Sequence, residues 1–257
     1  KNLGQSSRPQ AACTNIDFEN GNLTGWTTST GYNPLYNPLG CCATSGGAQT
    51  ITSGAGLDPC GGFPIVAPGG TFSLKLGNNA VNGIADRIEQ TFFVTTANAN
   101  FMYRYAVVFE DPGHTVANQP SFVAEMLDSS GVQIPCTYYS VSAGSGIPGF
   151  LNSTGCTGVV YKPWSNVSID LTSYIGQNVT IKFMTQDCAL GGHFAYAYID
   201  GSCSNFNINQ SNILCAGSSI QLTAPLGFAT YTWTLPNGTY LVKSGKIANA
   251  VSATPVP

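Results

Sequence analysis

The chain has 257 residues, of which 43% are hydrophobic and 8% charged. A sizeable core is therefore available, while the surface must be built from Ser, Thr, Asn, Gln and Gly, since an average soluble domain is about 25% charged. The net charge is −3 and Lys and Arg never cluster, which argues against nucleic acid and anionic membrane as partners, because both need concentrated positive charge. No apolar stretch reaches the roughly 18 residues of a membrane span, so direct membrane insertion is not expected.

Residues 1–12 are polar and lack the apolar core of a secretion signal, so they read as an extended segment opening a mature chain. Beyond them helix signals are almost absent. Strand signals recur at 72–76, 87–95, 101–110, 122–127, 137–142, 167–171, 179–185 and 194–199, separated by Gly, Pro, Asn and Ser. Residues 179–184 alternate apolar with polar side chains, and 87–92 do so in part; a period of two marks a sheet with one wet face. About eight to ten short strands over 13–203 fit an all-β fold, a two-sheet jelly-roll sandwich. The Asn-rich stretch 204–211 reads as a linker. A new register begins at Cys215, continues through Trp233 and turns at Pro236-Asn237-Gly238. That pattern matches the opening of an immunoglobulin-like sandwich, which needs roughly 100 residues. Residues 212–257 are therefore expected to be an incomplete domain, with further β repeats of the same chain following it.

The nine cysteines are Cys13, Cys41, Cys42, Cys60, Cys136, Cys156, Cys188, Cys203 and Cys215. None forms a C-x-x-C pair, and only His114 and His193 could add imidazole, so the spacing argues against zinc and for disulfides in an oxidising compartment. With Cys215 paired beyond residue 257, eight remain for the first domain. Cys136 and Cys156 flank a Gly/Ser/Pro-rich segment and are expected to pair. A bond between adjacent Cys41 and Cys42 would be strained, so one of them is expected to join Cys60 and the other Cys188.

Three segments carry a family likeness. In the first, Asp17-Phe18-Glu19-Asn20-Gly21-Asn22-Leu23-Thr24-Gly25-Trp26, alternation sets Phe18 opposite Asp17 and Glu19. It resembles the first strand of extracellular jelly-roll modules that include MAM domains and carbohydrate-binding modules. The segments Trp164–Gln177 and Asp187–Asp200 are, together, similar to a module of the very large SprB-like surface adhesins of gliding Bacteroidetes. The region after Cys203 resembles the PKD-like and immunoglobulin-like repeats of such proteins. The resemblance implies that the first and last strands lie antiparallel, side by side. Glu19 and Asp200 would then be neighbours, Cys13 and Cys203 would meet, and Asp17, Glu19 and Asp200 could hold a structural calcium through carboxylate oxygens. The plainer alternative is that Asp17 and Asp200 cap turns.

Acids and histidines also gather at Glu110-Asp111-Pro112-Gly113-His114 and at Asp187…His193. A catalytic or metal-binding role is one reading of these groups; the favoured one is that Asp111 and Asp187 order Gly-rich turns through side-chain-to-backbone hydrogen bonds. No Gly-x-Ser-x-Gly elbow and no facing carboxylate pair stands out, so neither a serine hydrolase nor a glycosidase is indicated. Tyr32, Tyr36, Tyr138 and Tyr139 sit in loop-like contexts and are the candidate residues for stacking on a sugar ring, with Phe150 and Tyr161 as further possibilities. Trp26, Trp164 and Trp233 sit in apolar patterns and are expected in the core. The six Asn-x-Ser/Thr sequons are what so Asn- and Thr-rich a composition yields by chance. The expectation is a non-catalytic module of a secreted or cell-surface adhesin, serving attachment or gliding, with a surface glycan or polysaccharide as partner. The alternative is a carbohydrate-binding module of a secreted hydrolase.

Overall fold

The computed structural model describes residues 13–144, 146 and 148–204, together with five short strands between residues 209 and 250. The expected segment 1–12 and Cys215 lie outside the described residues. Twelve strands build the main unit. They are β1 (Thr27–Tyr32), β2 (Thr44–Ser45), β3 (Gln49–Ser53), β4 (Phe72–Gly77), β5 (Ile84–Phe93), β6 (Asn100–Glu110), β7 (Ser121–Leu127), β8 (Tyr139–Ser142), β9 (Leu151–Asn152), β10 (Val159–Asp170), β11 (Asn178–Gln186) and β12 (Ala195–Ser204). One antiparallel sheet has the order β2-β1-β5-β11-β7-β8, and the other β3-β4-β12-β6-β10-β9. Take β4, β5, β6, β7, β8, β10, β11 and β12 as the first to eighth strands. The sheets then run first-eighth-third-sixth and second-seventh-fourth-fifth, which is the winding of a jelly roll. First and last strands do lie side by side, β12 being paired antiparallel with β4 through Tyr196↔Gly77 to Ile199↔Leu74.

The first strand is thus β4, and the expectation that Asp17–Trp26 fills that role is corrected. Residues 13–25 form successive turns. Cys13, Asn15 and Phe18 hold φ of 46°, 53° and 59°, and Gly21 and Gly25 hold 66° and 91°, a succession of left-handed residues that no regular strand accommodates. The Asn15 side chain organises these turns. Its amide donates to the carbonyls of Asn22 (2.9 Å) and Thr24 (3.0 Å), and its oxygen accepts from the Asn20 N–H (3.0 Å). Phe18 then stacks on Trp26 at 5.0 Å, and the Trp26 indole donates to the Asn15 carbonyl at 2.9 Å, so both aromatic rings enter the core as the pattern required.

Alternation decides which faces are buried. On β11, Val179, Ile181, Phe183 and Thr185 point inward and the residues between them point out. The second sheet is buried on both faces. On β6, Phe101, Tyr103, Tyr105, Val107 and Phe109 fill the inter-sheet core, while Ala106 and Val108 join an outer cluster with Phe63, Tyr196 and Tyr198. That two-sided burial is why 101–109 reads as one apolar run. The cover is the segment 54–71, pinned by the Cys60–Cys156 disulfide and by the Trp164 indole donating to the Pro64 carbonyl at 2.7 Å. Asp58 is its buried hub. Oδ1 accepts from the Cys60 and Gly61 N–H groups (3.0 and 2.6 Å), and Oδ2 from the Tyr196 and Tyr198 hydroxyls (2.9 and 3.0 Å).

Beyond β12, β13 (Asn209–Gln210), β14 (Ile220–Thr223) and β17 (Ile247–Ala250) make a three-stranded sheet, and β15 (Trp233–Thr234) pairs with β16 (Tyr240–Leu241). β13 falls inside the stretch expected to be a linker.

Candidate functional site

The first sheet leaves its outer face open. In register across it lie Glu89, Lys182 and Glu125, and beside them Arg87, Met184 and Val123. All of these except Glu89, with Gln186, floor a cleft of about 320 Å³ whose wall is Pro34, Gly40 and Cys41. The charges pair across neighbouring strands and along one strand. Lys182 Nζ is 3.8 Å from Glu125 Oε1, and Arg87 Nε is 3.4 Å from Glu89 Oε2; Arg87 Nε also donates to Ser29 Oγ at 3.2 Å. The wall belongs to the 33–42 loop. It packs so close to β1 that a Cβ on Gly31 would lie 2.5 Å from the Gly40 carbonyl oxygen, so only glycine fits there.

The same loop carries Tyr36, and Tyr32 ends β1 just before it. Tyr32 and Tyr36 are 38% and 43% exposed, with ring centroids 6.2 Å apart and planes at 38°. Tyr36 lies against Gly83 and Gly191, where a Cβ would run into its ring. Leu35 and Leu39 extend the exposed apolar rim. Tyr138 and Tyr139 stand on the far side of the sheet, on or next to β8, and do not join this group. Tyr138 is exposed, but Tyr139 is packed against the core, its ring 5.2 Å from Tyr105 and its hydroxyl 2.5 Å from the Tyr105 hydroxyl. Burial pushes the Tyr139 phenol up. Tyr139 is therefore half-buried and packed against the core, whereas Tyr138 beside it is exposed. Phe150 and Tyr161 pack against the two buried clusters as well.

Asp17, Glu19 and Asp200 line one recess of about 200 Å³ with Pro68, Gly69, Gly70 and Arg104. Glu19 Oε1 accepts the Thr71 and Phe72 N–H groups at 2.8 and 3.2 Å, which holds the entry turns against the start of β4. Asp17 Oδ1 accepts the Glu19 N–H at 3.3 Å. Asp200 is buried, and its Oδ1 has no hydrogen-bond partner. Burial pushes its carboxyl up to about 7, Arg104 pulls it down, and Asp17 and Glu19 push it further up. Arg104, on the neighbouring β6, is a counter-charge that neighbours in sequence could not reveal. Its Nη1 is 4.0 Å from Asp200 Oδ2 and donates to the Pro68 carbonyl.

The cysteines pair differently from expectation, with one exception. Cys13 and Cys203 are bonded to each other, their Cα atoms 6.2 Å apart. Cys156 joins Cys60 instead of Cys136, because the 54–71 cover brings Cys60 over the end of β10. Cys41 is bonded to Cys42, so neither reaches Cys60 or Cys188. Cys136 is free and exposed, and Cys188 is free and buried. Asp111 and Asp187 do order backbone. Asp111 Oδ1 accepts the Gly113 N–H at 2.9 Å, and Asp187 accepts the N–H groups of Ala195 (3.1 Å) and Ile84 (3.0 Å). Disulfides of this number place the chain in an oxidising compartment. Among the described residues no helix is long and apolar enough to cross a membrane.

No protein-family model matches the sequence, and no curated protein matches it. Solved structures with a similar fold include a carbohydrate-binding module, TmCBM61, in complex with β-1,4-galactotriose. It is 14% identical with a TM-score of 0.36, and the match covers 77% of this chain and 100% of that one. A carbohydrate-binding module specific for non-crystalline cellulose, CBM28, is 12% identical with a TM-score of 0.35, covering 77% of this chain and 92% of that one. The enzymatically active domain of bacteriophage CBA120 tailspike protein 4 is 14% identical at 0.36, and this chain spans 21% of its length. At these scores none transfers a ligand or an activity to this chain.

Proposed function

We propose that this is a non-catalytic, polysaccharide-binding β-sandwich displayed by a secreted or cell-surface protein, with the cleft on the outer face of the first sheet as its glycan surface. The carrying observation is where the chain spends its charge. Of nine Lys and Arg and twelve Asp and Glu residues, Arg87, Glu89, Glu125 and Lys182 lie together on one open sheet face. Paired charged groups offer donors and acceptors to sugar hydroxyls, and Met184 and Val123 between them offer apolar contact. Exposed Tyr36 stands on the loop that walls the same cleft and exposed Tyr32 at the end of β1 just before it, and such rings give large contact area at low entropic cost. The resemblance of 164–177 and 187–200 to modules of SprB-like adhesins supports attachment as the setting. Affinity electrophoresis of the whole chain against a panel of soluble polysaccharides tests the reading. Lys182→Ala, Arg87→Ala and Tyr32→Ala should each weaken retention with an unchanged melting temperature. Retention untouched by all three would move the glycan elsewhere or remove it.

We extend the proposal to a calcium ion in the acidic recess, which would draw the carboxylates of Asp17, Glu19 and Asp200 closer together than they now stand. Three carboxylates face one guanidinium there, and the buried, unpartnered Asp200 Oδ1 is the group that lacks a cation. Asp200, Glu19 and Asp17 would hold it, and the ion would neutralise them while tying the entry of the sandwich to its exit.

A further inference from the structure

We propose that His114, Cys188 and His193 form a zinc site at the end of the sandwich where segments 111–119 and 187–194 meet. Their ligand atoms all lie within 4.8 Å of one another, the one such grouping of three or more among the described residues. Cys188 Sγ is 3.3 Å from His193 Nδ1. The two imidazoles meet edge to face, centroids 5.3 Å apart and planes at 79°. Tetrahedral zinc, with Zn–S near 2.3 Å and Zn–N near 2.0–2.1 Å, sets ligand-to-ligand edges of about 3.3–3.6 Å. The Cys188–His193 edge already meets that value. Rotation of two half-buried imidazole rings closes the others.

A second observation points to a ligand. His114 Nε2 is buried and has no hydrogen-bond partner, although buried polar atoms are nearly always satisfied. Cys188 is fully buried and unpaired in a chain that joins three other cysteine pairs. Sequence spacing argued against zinc because no C-x-x-C pair exists and only two histidines are present; the fold brings both histidines to Cys188.

The surrounding hydrogen bonds hold the ligands in place. The Cys188 N–H donates to the His193 carbonyl at 2.9 Å, and the Gly191 N–H to the Cys188 carbonyl at 3.0 Å. The Ala189 N–H donates to the Asn118 carbonyl at 3.1 Å, which fastens this loop to the turn that follows His114. The buried Gln119 amide donates to the His114 carbonyl (3.2 Å) and to Asp111 Oδ1 (2.7 Å). Outer partners of this kind fix ligand orientation. A thiolate with two imidazoles selects a borderline-soft ion such as zinc over calcium or magnesium. On binding, the Cys188 thiol gives its proton to solvent as the S–Zn bond forms, and three protein ligands leave a fourth position for water. This site is separate from the calcium recess and does not depend on the glycan reading.

The test uses the whole chain with disulfides intact and the Cys188 thiol titrated as free. Zinc chloride, and cobalt chloride as its spectroscopic substitute, are the probes. The expected result is one zinc per chain and a thiolate-to-cobalt charge-transfer band. Cys188→Ser should abolish the band, and His193→Gln should weaken zinc by about tenfold or more, at least what losing an outer-shell partner costs. His114→Gln should weaken zinc and keep the band, and Cys136→Ser should change neither. Should Cys188→Ser misfold, the two histidine variants carry the test. No zinc and no cobalt band with a free thiol overturns the proposal. So does binding that survives both His193→Gln and His114→Gln, which would place the ion elsewhere, as at Asp17, Glu19 and Asp200.

Discussion

Replacing Cys60 and Cys156 by alanine tests whether the 54–71 segment is a structural cover or a loose surface loop. The two cysteines are 96 residues apart, and closing a loop of that size removes about 4.7 kcal/mol of unfolded-state entropy in the chain-entropy model, with measured losses of roughly 2–5 kcal/mol. In a unit of this size each kcal/mol shifts the melting temperature by about 2–4 °C, so a fall of roughly 5–20 °C is expected. Removing Cys13–Cys203 should cost a similar amount. The inner bond shortens its 190-residue loop by 96 residues, leaving a loop of nearly the same length. The inner pair should have an effect the outer pair lacks. Without it Phe63, T-shaped on Tyr198 at 5.6 Å and tilted on Tyr161 at 6.0 Å, loses its tether, and the cover should become open to protease while β6 and β12 stay folded. Thermal unfolding followed by near-UV circular dichroism, with limited proteolysis below the transition, reads both effects. A melting shift under about 2 °C with no cleavage between 54 and 71 would refute the cover.

Asp58→Ala should destabilise the unit by roughly 2–6 kcal/mol, because it strands two buried tyrosine hydroxyls at about 1–3 kcal/mol each; equilibrium urea unfolding measures it, and a loss below about 1 kcal/mol would mean that water replaces the carboxylate. For the proposed calcium, the chain in calcium at a hundred times its dissociation constant should gain about 2.7 kcal/mol over the chelator-treated chain. Asp200→Asn should abolish most of that gain, and identical melting curves with and without chelator would leave Arg104 as the only cation the recess needs.

The fold was legible where each residue's burial follows from local pattern. β11 shows its wet and dry faces directly in Val179-Thr180-Ile181-Lys182-Phe183. The first half of β10 did not read as strand because Pro163 lacks an N–H, and the structure accommodates it in a register shift between Lys162 and Ser165. Asp17–Trp26 misled for a different reason. Its alternation is real, but left-handed Asn15 and Phe18 fold it into turns, and nothing in a phenylalanine announces a positive φ. Cys13 and Cys203 meet even though the segment after Cys13 is no strand, since its turns run along β12, with Gly201 close against the Ile16 carbonyl. The other pairings were out of reach because they depend on where the 54–71 segment lands, which is a tertiary fact. Arg104 escaped for the same reason, as did the meeting of His114 with Cys188 and His193.

The two sheets differ in what their outer faces are for. The second sheet uses its aromatic residues internally. Tyr196 and Tyr198 give their hydroxyls to Asp58, Lys75 sits 4.0 Å over the Tyr196 ring, and the cover closes above them. A ligand would have to displace that cover and break a disulfide-held packing cluster. The outer face of the first sheet has no such cover across Arg87, Lys182 and Glu125. Stability does not explain the charges placed there, because half-exposed ion pairs contribute only about 0.2–1 kcal/mol, and a chain with so few charged residues had Ser and Thr available for the same positions. Nor does solubility require opposite charges set in register across three strands, since paired charges cancel and add nothing to net charge. What the arrangement does provide is a row of donors and acceptors held straight by each other, with apolar Met184 and Val123 between them and a tyrosine-bearing loop at one side. Recognition of an extended, hydroxyl-rich chain has use for all three features, and the stability of the sandwich has use for none of them.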